Sequence, residues 1–92
     1  MFTGIVEEIG TVQHVRSEKS VRTLEIKANR ILEDMHIGDS ISVNGACLTV
    51  IDFNDTAFSV QVIKGTENKT YLADLQRQAE VNLERAMSGN GL

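Results

Sequence analysis

Ninety-two residues with a net charge of −4 make one small domain with a modest core and no room for a second. Hydrophobic content of 41% against 24% charged residues argues against disorder over most of the length. With no Lys/Arg cluster and only 4% aromatic residues, the chain lacks the basic face and stacking rings that nucleic-acid binding needs. A single cysteine, no secretory apolar region after Met1 and no apolar run long enough for a membrane span make the cytoplasm the default compartment.

In chain order, residues Thr3 to Val15 are β-rich, with Ile5, Val6, Ile9, Val12 and Val15 apolar. The phase slips around Glu7-Glu8-Ile9-Gly10, and a slip beside a glycine predicts a bulge or bend that curves the strand. Ser17 to Ser20 is a polar turn, after which Leu24, Ile26 and Ala28 alternate with polar residues in a second strand, antiparallel to the first. Asn29 is placed to cap a short helix through Met35, with Gly38 as its stop.

The third strand is Asp39 to Val43 and the fourth Ala46 to Phe53, joined by Asn44-Gly45. Asn-Gly between alternating apolar residues is the signature of a two-residue type I′ hairpin, because both positions tolerate positive φ. On the fourth strand Cys47, Thr49, Ile51 and Phe53 share one face, while Leu48 and Val50 occupy the other. Both faces carry apolar side chains, so one faces a core and the other a partner surface or ligand. Asn54-Asp55 turns the chain into a fifth strand with Phe58, Val60 and Val62 in phase. Thr66 or Asn68 can then cap a second short helix carrying Tyr71, Leu72 and Leu75, and Ala79 to Arg85 forms a sixth strand. The pattern predicts an all-β, six-stranded antiparallel barrel with two short helices over residues 1–86, closed to remove its edges, with a flexible tail over 87–92.

Few residues suggest chemistry by themselves. The pattern favours Cys47 as a small core residue; the other reading is a ligand contact or weak nucleophile, although no base is evident beside it. His14 and His36 lack metal-ligand spacing and read as surface residues. Glu7 and Glu8 read as a solvated face, since adjacent strand residues point to opposite sides. Ser40 and Thr49 are either plain strand residues or hydroxyls that orient a polyol or heterocycle.

Three stretches together carry a family resemblance: Met1-Phe2-Thr3-Gly4-Ile5-Val6, residues Gly38 to Val50 and Val81-Asn82-Leu83-Glu84-Arg85-Ala86-Met87. In one register, without gaps, the chain resembles the N-terminal half of riboflavin synthase, the lumazine-binding domain shared with the bioluminescence lumazine proteins. The resemblance implies a Greek-key barrel, of which full-length enzymes hold two in tandem. Those enzymes dismutate 6,7-dimethyl-8-ribityllumazine to riboflavin without a metal, across two pockets that face each other at a subunit contact.

Carried over by position, the resemblance implies that Gly4, Ile5 and Val6 present backbone to a ligand and that Cys47, Leu48 and Thr49 form one pocket wall. Gln61, Val62, Ile63, Lys64, Gly65 and Thr66 form the opposite wall. Ser40 matches a further family position near the ring, and Phe2 an aromatic near the site. The implied ligand is riboflavin, a phosphorylated flavin such as FMN, or the ribityllumazine.

Two departures bear on activity. Gly65-Thr66 stands where the family usually reads Glu-Thr, which removes one polar or acid–base partner. The chain also stops at Leu92, where the family continues into its second barrel. The expectation is a half-size flavin- or lumazine-binding homodimer without catalysis of its own; the alternative is a riboflavin synthase, as a fragment or a half-size enzyme.

Overall fold

Strict alternation of apolar and polar residues becomes strand wherever the chain can put one face against a shared interior, and this chain does so six times. In a computed structural model, which describes residues 2–63 and 74–87, the strands are β1 (Glu8–Glu18), β2 (Val21–Lys27), β3 (Ser40–Val43), β4 (Ala46–Phe53), β5 (Ala57–Ile63) and β6 (Glu80–Arg85). They close into an antiparallel barrel in the order β1-β2-β5-β4-β3-β6. Strands β3, β4 and β5 form a meander, and β6 returns to lie beside β3, which is the Greek-key connection. Because β1 pairs with both β2 and β6, the sheet has no free edge.

The interior is filled from every strand. Val12, Leu24, Ile26, Val43, Phe58, Val60 and Leu83 are all at 0% exposure, and Ile31 plugs one end at the same value. Their spacing of two along each strand is the period that sends alternate side chains inward. The Asn44-Gly45 turn forms as expected, with φ of 50° and 89° and Val43 opposite Ala46. A second two-residue turn, Lys19-Ser20, joins Glu18 to Val21. At the third hairpin the Asn54 side-chain oxygen accepts from the backbone N–H groups of Thr56 and Ala57 at 2.8 and 3.0 Å.

Several expectations change. The first helix shrinks to a three-residue 3-10 turn, Arg30–Leu32, and Asn29 supplies no side-chain cap. Glu8 does that work instead, its carboxylate accepting from Asn29 N at 2.7 Å and Ile31 N at 3.0 Å. The second helix falls almost wholly within residues 64–73, outside the described residues; Leu75, beyond them, packs half-buried against the core. Of the tail expected over 87–92, only Met87 is among the described residues. Strand β1 starts at Glu8 rather than Thr3, and β6 at Glu80 rather than Ala79.

The bulge sits between Val12 and His14, where the β1–β2 register shifts, and not at Gly10. Gly10 answers a different need. A Cβ there would come within 2.6 Å of Leu83 Cδ1, 2.8 Å of Ile26 Cγ2 and 2.9 Å of the Lys27 carbonyl. Absence of a side chain is what lets β1 pass so close to the core at the point where it crosses between its two partners.

Candidate functional site

Position along β4 decides which predicted residues can meet a ligand. Ala46, Leu48 and Val50 point inward and are buried, so Cys47, Thr49 and Ile51 face out; a register shift between Val50 and Asp52 then breaks the expected shared face and sets Phe53 opposite the buried Phe58. Cys47 is therefore exposed, not a core residue: the two-residue turn sets the phase, and Ala46 takes the inward place beside Val43. Ser40 lies directly opposite Thr49 and Ser42 opposite Cys47. Two hydroxyls, a thiol and the buried Ser42 thus share one outward patch on β3 and β4.

The next strand brings the second group of predicted residues. Gln61 and Ile63 are exposed on β5 while Val62 points inward at 1% exposure. Pairing between β4 and β5 covers only Val50, Asp52 and Phe53 against Val60, Ser59 and Phe58. Residues Ala46–Thr49 and Gln61–Ile63 run on past this paired stretch, each held on its other edge by β3 or β2. A strand edge beyond its ladder presents backbone donors and acceptors in a row, the pattern that the edge of a heterocycle can match. With their side chains in the core, Leu48 and Val62 have only backbone to offer there. Lys64, Gly65 and Thr66 lie outside the described residues.

The N-terminal residues occupy a neighbouring place. Gly4 and Val6 line a cleft of about 230 Å³ together with Ser42, Asn44 and Glu84. Ser42 joins this cleft to the β4 patch, being the cross-strand partner of Cys47. A larger cleft of about 670 Å³ lies beside the 3-10 turn, lined by Met35, His36, Asp39 and Met87 among others, and of the predicted residues that the structure describes only Ser40 borders it.

Three charged residues reached no ligand list from sequence, and each organises the chain around the site. Glu84 is 7% exposed. Its Oε2 accepts from Thr3 N at 2.6 Å and from Thr3 Oγ1 at 2.8 Å, and its Oε1 accepts from Gly4 N at 3.1 Å. Glu7, far from being a merely solvated side chain, accepts from Arg85 Nε at 3.1 Å, Arg85 Nη2 at 2.8 Å and Arg85 N at 2.7 Å. These bonds from Arg85, partly opposed by burial, hold the Glu7 carboxyl below its ordinary value of 4.5, and the pairing raises Arg85 in turn. No short-range pattern announces such contacts, since the partners are 78 to 81 residues apart. His14 and His36 are exposed, as expected, and no cluster of three or more metal-ligating side chains occurs among the described residues.

Comparison with known proteins places this geometry. The family model of the lumazine binding domain matches residues 3–86. The chain is 52% identical over 91 residues to riboflavin synthase of Bacillus subtilis and 44% identical over 95 residues to that of Saccharomyces cerevisiae. It covers 99% and 96% of itself in those matches but only 42% and 40% of the relatives, so it spans less than half of their length. Among solved structures, LumP complexed with 6,7-dimethyl-8-(1'-D-ribityl) lumazine superposes with a TM-score of 0.84 at 28% identity, over 97% of this chain and 50% of that one. LumP complexed with riboflavin gives a TM-score of 0.83 at 26% identity, over 100% and 53%. A barrel of this strand order, matched by the family over nearly its whole length, belongs to the lumazine-binding domain family.

Proposed function

We propose that this domain binds riboflavin or a related flavin or ribityllumazine on the outward face of β4 and β5. The observation that carries the reading is the pair of strand ends, Ala46–Thr49 and Gln61–Ile63, running past their mutual ladder beside the Ser40 and Thr49 hydroxyls. Backbone groups along those ends suit the alternating donors and acceptors of a pyrimidine edge, and the hydroxyls suit a ribityl chain or ring oxygens. The ligands named for LumP are a ribityllumazine and riboflavin, which supports the same chemical class here.

The site is shallow. A cleft of about 230 Å³ bordered by Gly4 and Val6 is smaller than the several hundred Å³ that enclose a ligand of this size. Val6, which borders that cleft, is 49% exposed; Ile5 next to it in the chain is 69% exposed and Ile63 at the end of β5 is 51% exposed. A second copy of the chain laid over these apolar residues would cover the ring, so the reading includes a homodimer. One barrel contributes one pocket, and a dismutation needs two heterocycles held face to face. Binding without catalysis is therefore the function proposed for this domain on its own.

A second reading, membership in an active riboflavin synthase, is favoured by the 52% identity to the Bacillus subtilis enzyme. Titration of the purified chain with riboflavin, followed by incubation with 6,7-dimethyl-8-ribityllumazine, separates the two. Quenching of riboflavin fluorescence without product supports the binding domain. Appearance of riboflavin from the lumazine would replace it with the synthase reading, and no binding of either compound would refute both.

A further inference from the structure

The segment from Thr3 to Glu7 is a strap that leaves the barrel surface and returns to it. Neither strand nor turn holds it, and its middle residues, Ile5 and Val6, are exposed. Its two ends are fixed by consecutive residues of β6. Glu84 takes three hydrogen bonds from Thr3 and Gly4, and Arg85 grips the Glu7 carboxylate through both its side chain and its backbone. A further bond, from Ile5 N to Thr3 Oγ1 at 3.1 Å, extends the Glu84 anchor by one residue. Gly4 adopts a φ of +84° at the bend, with open space where a Cβ would stand.

The two anchors differ in what they control. Glu7 also donates its backbone N–H to the Leu83 carbonyl at 2.8 Å, so that end joins the sheet even without the ion pair. The Thr3–Gly4 end rests on the Glu84 carboxylate, and its contacts are charge-assisted bonds from backbone and hydroxyl donors. Glu84 itself lines the same cleft as Gly4, Val6 and Ser42, so its buried carboxylate sets where one wall of that cleft stands.

Resting on the flavin-binding reading above, we infer that Glu84 is a positioning residue for the ligand site, acting through Thr3 and Gly4. By satisfying three donors at once it holds the strap across β3 and β6, with Val6 turned to the cleft. A carboxylate is required because every partner is a donor. Glutamine offers a single acceptor oxygen, and its NH₂ would confront the N–H or O–H that the second oxygen now receives. The loss therefore frees at least one end of the Thr3–Gly4 anchor while leaving the barrel interior untouched.

The test compares the full chain with Glu84→Gln, Thr3→Val and the double variant, using riboflavin as the probe. Fluorescence titration, thermal unfolding and hydrogen exchange of the Gly4 and Ile5 amides are measured on each. The expected result is riboflavin affinity weakened about tenfold in Glu84→Gln, with faster exchange at Gly4 and Ile5. Thr3→Val, an exposed position, should weaken binding in the same direction, and the double variant should bind no more weakly than Glu84→Gln alone, because both act through one anchor. Unchanged affinity in both single variants while the amides exchange faster would overturn the inference and leave the binding reading standing. If Glu84→Gln does not fold, Thr3→Val decides by the same criterion. Absence of riboflavin binding by the unmodified chain would instead overturn the reading and this inference together.

Discussion

Replacing Gly10 with alanine tests whether the close passage of β1 over the core is real. The added methyl would meet three atoms inside 3.0 Å, and none can withdraw cheaply. Leu83 is fully buried, so its Cδ1 has no solvent to swing into; Ile26 is β-branched and stiff at χ1; the Lys27 oxygen is backbone in the β1–β2 ladder. Overpacking of this kind costs about 1–3 kcal/mol, with the upper part of that range expected where one of the clashing atoms is backbone. Reduced freedom of the unfolded chain returns about 0.5–1 kcal/mol. The net loss of roughly 2 kcal/mol is a large share of the 5–15 kcal/mol typical of a domain. At about 4–8 °C per kcal/mol for a domain of this size, the midpoint of thermal unfolding should fall by roughly 8–16 °C. Calorimetry or circular dichroism on the two proteins measures it. A fall of less than about 3 °C would show that the strand does not run against Leu83 and Ile26 as described.

Other expectations concern the site and its surroundings. Thr49→Val removes an outward hydroxyl without touching the core, so riboflavin affinity should drop by about 1–3 kcal/mol at nearly constant thermal stability; equal affinity by fluorescence titration would remove Thr49 from the site. The Glu7–Arg85 pair makes stability acid-sensitive, because the folded carboxyl is held below its unfolded value: the contribution is present above about pH 4.5 and is lost as pH falls through the lower, folded value. Glu7→Gln should therefore lower stability near neutrality by about 1 kcal/mol, an amount discounted for the partial exposure of both side chains. Unfolding measured from pH 7 to pH 3 should show the two proteins converging in acid; a constant gap would contradict the pairing.

Local chemistry was legible where a local rule governs it. Asn44-Gly45 dictated a two-residue turn because only positive-φ residues match the twist of the flanking strands, and the alternation through Leu24, Val50 or Val60 dictated which side chains enter the core. The outward place of Thr49 follows from that phase, and so does its position opposite Ser40. Cys47 shows the limit. Its residue type favoured burial, but register overrides type once Ala46 and Leu48 have taken the inward positions.

Helix caps and carboxylates were misread for a related reason. Asn29 carried a capping signal, yet Glu8 reached across from β1 and took the Ile31 N–H that such a cap would serve, together with the backbone N–H of Asn29 itself. A buried or paired Glu looks no different in sequence from a solvated one. The set of strands, most of their inward faces and the tight turns follow from φ preferences and a period of two. Long-range pairing settles the rest: β1 divides its partners between β2 and β6, register shifts fall at Val12/His14 and Val50/Asp52, and Glu84 and Arg85 hold the two ends of the N-terminal strap. Those contacts join residues some eighty positions apart, and they exist because barrel closure brings the first and last segments side by side.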